Sequence, residues 1–219
     1  MHVQIVGKVS SVYTLSFFLL RSTDTEMEIE DPENLLTGNK CIVYMSQLEK
    51  LFCICLNCQS ECTVRNYIEG TSVTFTQHCN NCSFVRVWDS QPKLKGAAAG
   101  NIALAASILF SGSSPTQIFK LLNHLNCATL SYSSFTNYQS AYFFPVISQM
   151  WHEKKSELLS ELTDVELAGD GRADSPGHCA KYGTYTLMET TQNKVIAINV
   201  VQVDFDVQMY TLHFIFFTK

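Results

Sequence analysis

Two Cys-x-x-Cys pairs, Cys55/Cys58 and Cys79/Cys82, stand 20 residues apart in this chain. Each pair puts two sulfurs on one side of a tight knuckle. A second knuckle at this distance completes a tetrahedral cage of four thiolates, the coordination Zn2+ prefers. The segment between them supplies the framework. After Gly70, Val73 and Phe75 alternate with Ser72, Thr74 and Thr76, and residues 84–88 are again β-branched or aromatic at most positions. Strand-like runs beside paired knuckles describe a zinc ribbon, a β-hairpin pinned at one end by metal. The competing reading is a group of buried, reduced thiols without metal. Cys53 and Cys62 flank the first knuckle and are alternative ligands for the cage.

Nine cysteines, an odd number, with five of them from Cys53 to Cys79, argue against a secreted disulfide framework. They suit a reducing compartment: the nucleus for a protein directed at DNA, otherwise the cytoplasm. Residues 9–20 are apolar between Lys8 and Arg21, but too few to span a bilayer, and no small-x-small cleavage site follows. No membrane partner is expected. Of the net charge of −5, residues 1–34 carry −4, from six acids against two bases, which leaves −1 for the rest. An acidic, polar stretch of this kind is a solvated lead-in. The nearly neutral remainder neither requires nor excludes DNA, and no protein partner is specified.

The chain reads as α+β in five zones. Residues 1–45 are a weakly structured lead-in, and residues 46–92 hold the zinc ribbon, entered by a short helix through Leu48 and Leu51. Residues 93–164 are helical. Gly100 and Asn101 open an Ala-rich helix that closes at Gly112, and Ser114-Pro115 is an N-cap followed by proline at the first helical position. Ile118, Leu121, Leu122 and Leu125 then form an amphipathic stripe. Phe135, Tyr138 and Tyr142 follow on a third helix, and Pro145 starts or kinks a fourth with Val146, Ile147, Met150, Trp151 and Leu158 inward. These aromatics are read as core rather than as a platform for nucleobases. Residues 165–203 change period: strands near residues 165–168, 182–188 and 195–201, joined by short links, form an antiparallel meander. Residues 204–219 are an apolar, divergent tail.

Residues 169–183 carry the most unusual chemistry. Asp170 is expected to end a short strand, and Gly171 follows it, so its carboxylate would point from a sheet into an open loop, as a divalent metal site requires. Arg172, His178 and Lys181 are close in sequence and suited to phosphate. The plainer reading is that Asp170 and Asp174 cap turns.

This segment resembles the first catalytic-aspartate motif of Mutator-like and Kolobok-like DDE transposases. The matching residues are Asp170-Gly171, Arg172, Gly177-His178 and Tyr182-Gly183. Upstream, Trp88 with Ser90, Gln91 and Pro92, Gly100-Asn101, the run from Phe110 to Pro115 and Trp151 resemble the same group, in the same order from Leu48 to Gln202. The resemblance implies an RNase H-like domain whose first three antiparallel strands are those read above, with Asp170 on the first. In such enzymes three carboxylates hold two Mg2+ ions about 3.5–4 Å apart, for DNA cleavage and strand transfer. Only 17 residues follow Gln202 here. A second catalytic aspartate and a glutamate have no room, and Asp204 and Asp206 cannot be assigned those roles. The expectation is therefore a truncated, transposase-like zinc protein that does not cleave DNA by itself, with Lys93, Lys95, Arg172 and Lys181 as candidate DNA contacts. The alternative is a non-catalytic zinc-ribbon adaptor that binds protein or nucleic acid through its helical region. A zinc hydrolase is disfavoured, because four thiolates leave no open position for water.

Overall fold

Gly70 sets the register of the first sheet. At φ +62° it occupies the left-handed position that a two-residue hairpin turn requires, and Glu69 pairs with Ser72 across it. In the computed structural model, which describes residue 36 and residues 38–94, 96–161, 165–174 and 180–202, this turn joins β1 (Cys62–Glu69) to β2 (Ser72–Cys79). β3 (Val85–Asp89) pairs on the other side of β2, giving an antiparallel sheet of order β1-β2-β3. The sheet therefore has one strand more than the hairpin expected from sequence.

One face of this sheet is covered from the N-terminal side. α1 (Met45–Glu49) runs into a single 3-10 turn, Lys50–Phe52, which lowers Phe52 onto β2. Phe52 stacks on Phe75 at 4.6 Å between centroids, and Trp88, the cross-strand partner of Phe75, tilts against both. Phe52, Val73 and Phe75 are buried. Aromatic pairs of this kind add about 0.5–1.5 kcal/mol each beyond the area they bury. Arg86 caps the stack, its guanidinium 5.3 Å from the centre of the Phe52 ring.

A short hairpin, β4 (Lys93–Leu94) and β5 (Ala97–Ala98), leads into α2 (Ala99–Ser111). Small side chains let α2 bury nearly its whole circumference, with Ile102 and Ala105 fully inside. Gly112 (φ +67°) ends it: its N–H donates to Leu109, and that of Ser113 donates to Ile108. That double bond pattern is a Schellman cap. α3 (Pro115–His124) follows with Pro115 at its start, as expected, and Phe119 is its buried anchor. Leu121 and Leu125 of the expected inward stripe are exposed.

α4 (Tyr132–Tyr138) is capped by Ser131, whose hydroxyl accepts from the Ser134 N–H. A π-helical turn, Gln139–Phe143, joins it to α5 (Phe144–Glu161). There the Phe144 N–H donates five residues back, to Gln139. Pro145 has no N–H to give, and its ring would press on the carbonyl four residues earlier; widening the turn by one residue relieves both problems.

The chain divides between Gln149 and Met150 into two compact units. The second contains β6 (Leu167–Ala173), β7 (Tyr182–Glu189) and β8 (Lys194–Gln202), an antiparallel sheet of order β6-β7-β8 with a bulge in β8 opposite Leu187/Met188. The expected meander is present. No helix among the described residues is long and apolar enough to cross a membrane. The lead-in before residue 36, the tail from residue 203, and with them Asp204 and Asp206, lie outside the described residues.

Candidate metal centre

The four sulfurs meet because β1 and β2 are in register to their ends. Cys62, first in β1, pairs with Cys79, last in β2, so the loops on either side share one end of the sheet. The first knuckle is clamped at its base by the Cys55 N–H to Ser60 and the Cys62 N–H to Cys53, at 2.9 and 2.8 Å. Gln59 adopts φ +57° within it. The second knuckle is closed by the Cys79 N–H donating to Phe84 at 3.0 Å.

Cys55, Cys58, Cys79 and Cys82 have all their sulfurs within 4.8 Å of one another, and Cys55 is buried. Cys55 Sγ lies 3.7 Å from Cys82 Sγ, and Cys58 Sγ lies 3.4 Å from Cys79 Sγ. A tetrahedral Zn2+ at its usual 2.3 Å from sulfur needs about 3.8 Å between ligands, so the cage has the dimensions of a tetrathiolate site. Zinc bound by four thiolates is coordinatively closed, and its chemistry is structural.

The surrounding N–H groups also suit negative sulfur. Cys55 Sγ accepts from the Asn57 N–H at 3.4 Å, and Cys79 Sγ accepts from those of Asn81 and Cys82 at 3.3 Å. The Cys58 thiol is held at about 6, chiefly by the Ser60 hydroxyl and N–H. Cys82 benefits from the Phe84 N–H, yet burial and the neighbouring Cys79 and Cys58 sulfurs push it up to about 11. Donors of its own loop favour the Cys58 thiolate, while burial and the neighbouring sulfurs resist a second one at Cys82. A divalent cation removes that resistance.

Cys53 and Cys62, the alternative ligands, are not in the cage. Cys53 Sγ faces the Glu49 carbonyl, and Cys62 Sγ takes a hydrogen bond from the buried Gln77 amide. The knuckle spacing alone identified the four that converge.

Asp170 stands elsewhere than expected. It is the fourth of the seven residues of β6, paired with Thr186, rather than at a strand exit. The glycines beside it make this pairing possible. A Cβ on Gly169 would collide with the Tyr185 hydroxyl and ring, and Tyr185 also borders Gly171 across the register. Tyr185 thus fills the space that a side chain at position 169 would take and lies at contact distance from position 171, and what reads as loop composition is a strand. Asp170 and Arg172 lie on the opposite face, both exposed.

Of the other candidate contacts, Lys93 donates to Asp89 at 2.8 Å. That bond, with one from Thr74, holds the Asp89 carboxyl below its ordinary range. Lys93 belongs to the first unit, Arg172 and Lys181 to the second. The Lys181 N–H donates to Asp174, which keeps Asp174 in the turn-closing role. Lys95 and His178 lie outside the described residues. The four cysteines are the one group of three or more potential metal ligands among the described residues.

No family model matches the chain, and neither a curated protein nor a solved structure does.

Proposed function

We propose that the chain is a zinc-ribbon protein of DDE-transposase descent that holds one structural Zn2+ and does not cleave DNA by itself. The observation that carries the zinc assignment is the convergence of four cysteine sulfurs, ringed by N–H donors, at one end of a three-stranded sheet. What supports the descent is order. A cysteine-bearing sheet is followed by helices and then by an antiparallel sheet with Asp170 on its first strand, the sequence of parts that the resemblance implies for a zinc ribbon and an RNase H-like meander.

The same order argues against catalysis. Two-metal cleavage needs several carboxylates converging on one site, and Asp170 joins no group of three or more potential metal ligands among the described residues. Among the described residues, no cluster of carboxylates joins Asp170 to make a site for Mg2+. Zinc analysis of reduced, chelator-free protein, together with plasmid and oligonucleotide cleavage in Mg2+ or Mn2+, tests the reading. One zinc per chain and intact DNA are expected. Cleavage that disappears in Asp170→Ala would overturn the incompetence and assign Asp170 a catalytic role.

A second reading, a non-catalytic adaptor, is favoured by the uncovered face of the first sheet, where Tyr67, Val85 and Val87 are exposed. No DNA binding even at low salt speaks for an adaptor directed at protein, whereas binding that weakens steeply with salt fits both the first reading and an adaptor directed at nucleic acid.

A further inference from the structure

The third residue of each knuckle is an asparagine: Cys55-Leu56-Asn57-Cys58 and Cys79-Asn80-Asn81-Cys82. Both asparagines are exposed, so neither is there to fill a core. Each makes the same pair of contacts. The main-chain N–H of Asn57 donates to Cys55, and that of Asn81 donates to Cys79, within their own knuckles. Their side-chain amides cross over. Asn57 Nδ2 lies 3.8 Å from Cys82 Sγ, and Asn81 Nδ2 lies 3.9 Å from Cys58 Sγ. The two loops are thereby related by a local twofold in their bonding, although their sequences differ at the second position.

We propose that Asn57 and Asn81 are positioning residues of the metal centre, each shielding the second cysteine of the opposite knuckle. This rests on the assignment of the four cysteines as a metal site. Zn2+ with four thiolates carries a net charge of −2, concentrated on sulfur. An N–H directed at sulfur draws density from it, which lowers its nucleophilicity and holds it in its place in the tetrahedron; loss of such outer contacts costs about 10–100-fold in metal affinity. The first cysteine of each knuckle takes its N–H donors from its own loop. The second cysteine has an own-loop donor as well, Ser60 for Cys58 and Phe84 for Cys82, and is the one that the opposite loop also reaches, so the amides tie the knuckles together through the sulfurs.

The crossing gives a signature that an ordinary turn-forming asparagine would lack. In Asn57→Leu the affected sulfur is Cys82, 25 residues away and in the other loop; in Asn81→Leu it is Cys58. The test uses full-length protein loaded with Zn2+, and separately with Co2+. Iodoacetamide alkylation is followed by peptide mass mapping: the thiolate displaces iodide, an S–C bond forms as the C–I bond breaks, and the metal loses that ligand. Asn57→Leu is expected to speed alkylation of Cys82 severalfold and leave Cys58 unchanged, with the reverse for Asn81→Leu. Zinc affinity, measured by chelator competition, should fall about 10-fold in each. The sulfur-to-cobalt charge-transfer band should move to lower energy, because sulfur without its N–H donor is the better electron donor. Should the leucine variants misfold, Asn57→Asp and Asn81→Asp keep the shape, replace the donor by an acceptor, and must move the same readouts further. Faster alkylation confined to the variant's own knuckle, or an unshifted cobalt band, overturns the proposal. A wild-type chain that takes up neither zinc nor cobalt overturns the metal assignment itself, and is seen before any variant is compared.

Discussion

Gly70 and Asn101 touch where a side chain at position 70 could not exist: a Cβ there would lie 2.5 Å from the Asn101 Oδ1. Asn101 is buried at the start of α2, and its amide closes on the β1–β2 turn. Its Oδ1 accepts from the Thr71 N–H and hydroxyl at 2.7 and 2.8 Å, and its Nδ2 donates to the Glu69 carbonyl at 3.2 Å. Gln91 does the complementary work, donating to the Thr71 carbonyl and accepting from the Gly100 N–H. A Cβ on Gly100 would strike that Gln91 amide. Gly70, Gln91, Gly100 and Asn101 therefore form one amide clasp between the cysteine-bearing sheet and the helices. Gly70→Ala, at a positive φ and in a clash, should cost about 1–3 kcal/mol. Asn101→Leu, which strands the buried partners, should cost about as much per unpaired group. Denaturant unfolding of the metal-loaded protein measures both, with metal content at the start unchanged.

Removing a cage ligand should be harsher. Cys58→Ser or Cys79→Ser is expected to lose the metal and to leave β1 and β2 unprotected at the cysteine end, because metal binding in a closed site supplies folding free energy. Cys53→Ser and Cys62→Ser should keep full metal content. Elemental analysis beside amide hydrogen exchange separates the two classes; retention of metal in Cys79→Ser would dismiss the four-sulfur site.

Glu189 governs the turn between β7 and β8. Its buried carboxylate accepts from the N–H groups of Thr191 and Gln192 at 2.9 and 2.7 Å. The Thr191 side chain first, and then the Gln192 N–H, hold its pKa below the ordinary 4.5. A carboxyl with a lowered folded-state pKa stabilises fully above its unfolded value and loses that contribution as pH falls through the folded one. Protection factors of the Thr191 and Gln192 amides should thus be constant above about pH 5 and collapse on acidification below the ordinary carboxylate range. Glu189→Gln should show weakened protection with no such collapse.

Tyr185 makes Gly169 specific. Gly169→Val should push the ring out and destabilise the β6–β7 pairing by about 1–3 kcal/mol, whereas Gly171→Ala, with ordinary contact distance to Tyr185, should be tolerated. Equal effects at the two glycines would count against the ring as the cause.

Local rules carried the sequence reading far. Cysteine spacing, the Gly112 stop and Pro115 at a helix start are short-range constraints, and each is where the residues place it. Features set by distant neighbours were illegible. β1 is exposed along most of its length, so its residues lack the alternation that marked β2. Asp170 sits between glycines that look like loop until Tyr185, on another strand, is known to cover them. The buried residue of α3 is Phe119 rather than Leu121 or Leu125, because the facing layer, not the helix, chose the inward side. The π-turn before Pro145 slips the helical phase by one residue, which no 3.6-residue count anticipates.

β2 is eight residues long, about 25 Å from end to end, and it is anchored differently at its two extremities. Its Cys79 end terminates in the sulfur cage; its Ser72 end terminates in the amide clasp. Mechanically the strand is a strut with two unlike bolts: on the proposed metal assignment, one is removable by a chelator and the other indifferent to it. Stripping the metal of that site would therefore loosen the Cys79 end while the Ser72 end still holds, so that the sheet would open from one direction.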